Sequence, residues 1–135
     1  WEAVDTEQYG ALGSYISESS GIFSFSTTGY YKIEFITQGY GNSSDDNDHT
    51  YSYIFVTDDN STYSYASGGR SHTTPLNSAG SGYNMYTSIQ LDVTDTTNQK
   101  AQFRVTHQSN AASMTTTGST GENITYVTFM RLGDT

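Results

Sequence analysis

Aromatic and β-branched side chains recur at every second position along most of this chain, in short runs broken by Gly, Ser, Asn and Asp. A two-residue period is that of a strand with one face buried and one face wet. Residues 30–37 carry Tyr31, Ile33 and Phe35 on one side and Lys32 and Glu34 on the other. Residues 83–93 place Met85, Thr87, Ile89, Leu91 and Val93 on one side. Residues 99–106 do the same with Ala101, Phe103 and Val105. Further runs fall at 21–25, 51–57, 62–66 and 123–132. Asp58-Asp59-Asn60-Ser61 reads as a tight hairpin connection and Asp95-Thr96-Thr97-Asn98 as a second turn. The expectation is roughly eight antiparallel strands and no helix, folded as one all-β sandwich or barrel over residues 1–135. Three polar stretches, 41–49, 67–82 and 109–121, are expected as long surface loops.

Composition supports that reading and removes several functions. Hydrophobic residues make up only 33% of the 135, yet 14% are aromatic, with twelve Tyr and six Phe, which argues against disorder. There is no Cys, so neither a disulfide nor a thiolate metal site contributes. The formal net charge is −9, from fourteen acidic against five basic residues, which opposes binding to nucleic acid or to an anionic membrane surface. No run approaches the ~20 apolar residues of a membrane-spanning helix. The chain opens Trp1-Glu2-Ala3 without Met, the start expected of a processed chain or of part of a longer one.

Catalytic signals are weak. No Gly-x-Ser-x-Gly elbow occurs, and His49, His72 and His107 lie in three separate segments, read as ordinary polar residues. The protein is therefore expected not to be an enzyme and to need no cofactor. Asp45, Asp46 and Asp48 form an acidic run that reads either as a solvated loop or as a calcium ligand set. Asn42, Asn60 and Asn123 head Asn-x-Ser/Thr sequons, candidate glycosylation sites. Tyr40, Tyr63, Tyr65, Tyr83 and Tyr86 lie in or beside predicted loops and edges. With Ser, Asn and Gly around them they read as a candidate recognition surface, or as rings that cover the sandwich.

Three segments carry a family resemblance. Gly21-Ile22-Phe23-Ser24-Phe25 followed by Gly29-Tyr30-Tyr31-Lys32-Ile33 resembles a paired-strand stretch of the complement C-one-q globular-head family, within the tumour-necrosis-factor-like superfamily. Residues 88–95 with 101–105 are similar to that family's penultimate strand pair. Residues 125–134, Thr-Tyr-Val-Thr-Phe-Met-Arg-Leu-Gly-Asp, are similar to its closing aromatic strand. The resemblance implies an antiparallel jelly-roll sandwich that assembles as a homotrimer through its inner sheet, with Trp1 to Val4 as an opening strand. It also implies calcium near the trimer apex as a candidate ligand. The ending and the Ser/Thr/Tyr/Asn texture look most like versions encoded by bacteriophages. The acidic loop 41–49 and the lack of a collagen-like stalk depart from the family pattern.

The functional expectation is a non-enzymatic structural and assembly protein of a bacteriophage virion, a capsid decoration or tail-fibre head. It would be exposed on the virion surface or outside cells, with itself and other virion or surface proteins as partners. A host glycan is a candidate ligand, and neither nucleic acid nor membrane insertion is expected. The alternatives are an extracellular carbohydrate- or receptor-binding module and a subunit of an extracellular filament. Phe23, Phe25, Tyr31, Ile33, Phe35, Phe103, Val105, Tyr126 and Phe129 are expected to build the core and the subunit contacts.

Overall fold

A computed structural model of the protein describes residues 14–41, 48–73, 81–108, 114–119 and 122–135. Among these residues there are nine strands and no helix: β1 (Ile16–Ser19), β2 (Ile22–Phe25), β3 (Gly29–Gly41), β4 (Asp48–Thr57), β5 (Ser64–Thr73), β6 (Ser81–Val93), β7 (Lys100–Gln108), β8 (Met114–Thr116) and β9 (Tyr126–Gly133). All pairings are antiparallel. One sheet has the order β1-β2-β7-β4-β5. In the other, β3 pairs along its whole length with β6, while its opposite edge is shared by β9 and β8. The chain changes sheet between β2 and β3, β3 and β4, β5 and β6, β6 and β7, and β7 and β8.

Burial follows the two-residue period. In β3, Tyr31, Ile33, Phe35 and Thr37 are buried while the alternate positions face outward. Their partners Leu91, Ile89, Thr87 and Met85 on β6 share that inward side. From the five-stranded sheet come Phe23, Phe25, Ile54 and Ala101, with Phe103 and Val105 partly buried against them. The aromatic part of this core is a ring cluster. Phe103 packs edge-on to Phe23 at 5.0 Å and tilted on Phe35 at 5.2 Å, and Phe129 stacks on Phe23 at 5.4 Å. Such pairs add specificity beyond the apolar area they remove from water.

The other half of the interior is hydroxylic. Thr37, Thr50, Ser52 and Thr87 are all buried, and Ser52 Oγ and Thr87 Oγ1 share a hydrogen bond across the sheets at 2.9 Å. Buried hydroxyls are tolerated when paired. Gly69 of β5 lies beside this pair; a Cβ there would stand 3.1 Å from each of the two hydroxyl oxygens. The Gly-Gly step thus lets β5 approach β6 closely.

The two ends differ. At one end the turns are short and tied by side chains. Asp59 Oδ1 accepts from the backbone N–H of Ser61 and Thr62 and from the Thr57 hydroxyl. These bonds hold its carboxyl far below the usual range, the Thr62 backbone contact being the strongest cause. Gln99 joins the neighbouring turn to this one. Its Oε1 accepts from the N–H groups of Thr94 and Asp95, and its Nε2 donates to Asp58 Oδ1 and to the Asp92 carbonyl. At the opposite end β3, β5 and β7 finish and β4, β6 and β8 begin, as the pairings Gly41↔Ser81, Gly41↔Met114, Asp48↔Thr73 and His49↔Gln108 show. The chain segments joining those strands therefore leave from one end of the sandwich.

Several sequence expectations change. The loop expected at 67–82 is mostly strand, because β5 runs on to Thr73 and β6 begins at Ser81. Residues 114–116 of the loop expected at 109–121 form β8, paired with Gly39–Gly41. β1 was not foreseen; it is set by a two-residue turn at Ser20-Gly21. There φ is 54° at Ser20 and 80° at Gly21, and Ser19 pairs with Ile22. Positive φ at both central residues gives a turn whose twist matches the flanking strands. Tyr126, expected among the residues that build the core and the subunit contacts, pairs with the outward Ile36 and so lies on the outer face rather than in the core.

Candidate functional site

The outer face of the four-stranded sheet carries several exposed apolar side chains among polar ones. β3 contributes Tyr30, Lys32, Glu34, Ile36, Gln38 and Tyr40 to it. β6 adds Asp92, Gln90, Ser88, Tyr86 and Asn84, and β9 adds Met130, Thr128 and Tyr126. At the lower edge the pairing slips between Tyr30 and Tyr31, so Leu132 is the extra residue of a bulge. Tyr30, Tyr40, Tyr86, Met130 and Leu132 are all about half exposed or more. Lys32 and Glu34 on this face are matched to each other, while Asp92 is in neither ion pair seen among the described residues. Lys32 Nζ meets Glu34 Oε1 at 2.6 Å, and the Tyr86 hydroxyl donates to the same oxygen at 2.6 Å. The Lys32 ammonium, then the Tyr86 hydroxyl, lower the Glu34 pKa. Arg131 pairs with Asp134 and donates to the Thr28 carbonyl.

The outer face of the five-stranded sheet has another chemistry. β4 presents His49, Tyr51, Tyr53 and Phe55 in a row, each half-buried. Tyr51 and Tyr53 are parallel within 4° with centroids 5.9 Å apart, and Phe55 follows at 5.9 Å from Tyr53. On β5 the matching positions are His72, Arg70, Gly68 and Tyr65. Tyr65 packs edge-on against both Tyr53 (5.7 Å) and Phe55 (6.2 Å) and is 60% exposed. On β7 they are Thr106, Arg104 and Gln102. The guanidinium of Arg104 lies 4.9 Å from the Phe55 centroid, and that of Arg70 lies 5.8 Å from Tyr51. Arg70 Nη2 also sits 2.7 Å from His49 Nε2.

The sequence candidates distribute unevenly over these surfaces. Tyr40 and Tyr86 lie on the four-stranded face and Tyr65 on the five-stranded face, so the exposed tyrosines do not form one site. Tyr83 is corrected: it points inward, 5% exposed, over Gly39 of β3, and its hydroxyl meets Thr116 Oγ1 at 2.9 Å. A methyl at position 39 would clash with that hydroxyl and with the Thr115 carbonyl, so glycine leaves the space the ring occupies. Burial raises the Tyr83 pKa. Tyr63 is half-buried, and its hydroxyl is buried without a hydrogen-bond partner. Asp45, Asp46 and Asn42 lie outside the described residues, as does the side chain of Asp48, which opens β4 opposite Thr73. Asn60, at φ 57° in the β4–β5 turn, and Asn123 are exposed.

Sequence reasoning missed the pairing of histidines. His49 and His72, twenty-three positions apart, are cross-strand neighbours with ring centroids 4.8 Å apart. His107 lies elsewhere, between Thr50 Oγ1 and Thr116 Oγ1, each at 3.1 Å. The missed signal was the continuation of β5 through Gly68-Gly69, which places Arg70 and His72 opposite Tyr51 and His49. A depression of about 350 Å³ beside the β4–β5 turn is lined by Val56, Asp58, Asp59, Thr62 and Ser64. The Asp59 carboxylate there is engaged by its own turn.

A scan against protein-family models finds no match for this chain, and a search of curated proteins finds none either.

Proposed function

We propose that this chain is a non-enzymatic assembly module, a jelly roll that forms a homotrimer through the outer face of its four-stranded sheet. In this reading it is displayed on a bacteriophage virion as a capsid decoration or tail-fibre head. The observation that carries the proposal is the clustering of exposed apolar side chains. Among the described residues, five of the seven large exposed hydrophobics, Tyr30, Tyr40, Tyr86, Met130 and Leu132, belong to this one face, where Lys32 and Glu34 neutralise each other. Exposed large apolar side chains gathered on one face, beside a polar pair that is already satisfied, suit an interface between copies. Repeated crossing of the chain between the two sheets supports the jelly-roll connectivity.

Sedimentation or light scattering at micromolar concentration tests the assembly. The expected mass is three times the 14.8 kDa of one chain. A stable monomer would overturn the trimer. A second reading, an extracellular carbohydrate-binding module, is favoured by the aromatic row on the other sheet.

A further inference from the structure

We propose that the outer face of the five-stranded sheet is a binding strip for a carboxylated saccharide chain, one bearing uronate-type sugars. The inference deepens the recognition half of the proposed function and does not need the trimer.

Charge is the first argument. The protein carries fourteen acidic and five basic residues, yet three of the five basic ones, Arg70, Lys100 and Arg104, belong to β5 and β7. Neither strand contains an Asp or Glu, and β4 between them contains only Asp48, its first residue. Among the described residues the ion pairs are Lys32–Glu34 and Arg131–Asp134, so Arg70 and Arg104 are in none. In a chain with nine excess negative charges, two arginines set apart from carboxylates form a local cationic field that selects an anionic partner.

Shape is the second argument. The rings of Phe55, Tyr53 and Tyr51 and the imidazole of His49 follow one another at alternate positions of a single strand, a line of about 20 Å at roughly 3.3 Å per residue. The surface is an open strip and not a concave pocket of the kind that encloses a small molecule. A saccharide chain matches it. Its sugar rings have apolar C–H faces that pack on aromatic side chains, and hydroxyl edges that bond Thr106 and Gln102 beside the row. The Arg104 guanidinium lies over Phe55, and the Arg70 guanidinium lies over Tyr51 with its Nη2 also on His49. A planar fork so placed binds a carboxylate in a bidentate manner. The chemistry of the face, tyrosine rings with small hydrogen-bonding groups, is that of adaptable recognition surfaces.

The test is titration of the full chain with oligogalacturonate, a neutral malto-oligosaccharide of equal length, and poly-glutamate. Saturable binding of oligogalacturonate is expected, with the other two weaker. Arg104→Gln and Tyr65→Ala each remove an exposed group and are expected to weaken it about tenfold or more. Tyr86→Ala, on the opposite face, leaves it unchanged. Circular dichroism confirms that each variant folds, and Arg70→Gln replaces Arg104→Gln if that variant does not. Absence of oligogalacturonate binding, equal binding of poly-glutamate, or affinity indifferent to the Arg and Tyr substitutions overturns the proposal. A monomer that binds the acidic sugar overturns the assembly reading alone, and a trimer that does not bind overturns this one alone.

Discussion

Two buried threonines show how much context decides at the level of the single residue. Thr37 and Thr87 occupy the same inward surface of the four-stranded sheet, both almost fully buried. The Thr87 hydroxyl is paired with Ser52, whereas Thr37 Oγ1 has no partner. Thr37→Val, which keeps the shape and removes an unpaired polar atom, is expected to be neutral or stabilising by up to about 1 kcal/mol. Thr87→Val strands the Ser52 hydroxyl and is expected to cost about 1–3 kcal/mol. Denaturant midpoints of the two variants, compared at equal slope, check the contrast. Asp59 supplies a pH dependence. Its carboxyl titrates below its ordinary value near 3.8 because the folded turn donates three hydrogen bonds to the charged form. A depressed pKa means the stabilisation is complete above that ordinary value and is lost as pH falls below it toward the folded value. The melting temperature of the native chain is therefore expected to fall below about pH 4 more steeply than that of Asp59→Asn. Parallel acid curves for the two proteins would contradict this assignment.

Elements differ in how plainly the sequence announces them. β3, β6 and β7 keep an uninterrupted alternation, so both their existence and their inward faces were legible: Tyr31, Ile33 and Phe35 are buried, as are Met85, Val93 and Ala101. Of β5 only the start, expected at 62–66, was legible; its continuation was not, because Gly68, Gly69 and the serines around them show no period. Its strand conformation comes from pairing with β4 over Asp48–Val56. β8 is three residues long and exists through Gly39–Gly41 of β3. Turns join these elements through side chains as well as backbone. Gln99 starts the passage from the four-stranded into the five-stranded sheet and bonds groups on the strand before it and on the β4–β5 turn. Gln99→Ala removes the hydrogen bonds of a buried side chain whose partners are open to water, and is expected to cost about 0.5–1.5 kcal/mol, read from chemical denaturation. Loss of the same size in Asp58→Ala would trace much of it to the Gln99–Asp58 bond.

For the whole molecule, the two outer faces of the sandwich differ in chemistry: one carries exposed Tyr, Met and Leu side chains among polar ones, the other an aromatic row with two arginines. If the four-stranded face joins copies, the aromatic row of each copy points away from the assembly, and several weak saccharide contacts act together. Met130 and Leu132 are more than half exposed, so Met130→Glu or Leu132→Glu is expected to spare the fold while shifting the assembly to monomers in sedimentation. Unchanged mass in both variants would place the interface elsewhere. Little of this division was legible beforehand. The recognition tyrosines named from sequence scatter over both faces and the interior, with Tyr40 and Tyr86 on one side, Tyr65 on the other and Tyr83 inside.

The two-residue period is a local property, carried by neighbours along the chain. The sequence by itself therefore determined the fold class, the antiparallel strands and most of the inward-facing residues. It did not determine which strands share an edge, because pairing joins residues far apart, such as Tyr30 with Gly133 and His49 with Gln108. Only the tertiary structure set His72 and Arg70 beside His49 and Tyr51, buried Tyr83 over Gly39, and gathered Arg70 and Arg104 on one outer face. A period of two tells each side chain to face in or out. What it meets outside depends on register and sheet order, which the whole chain settles together.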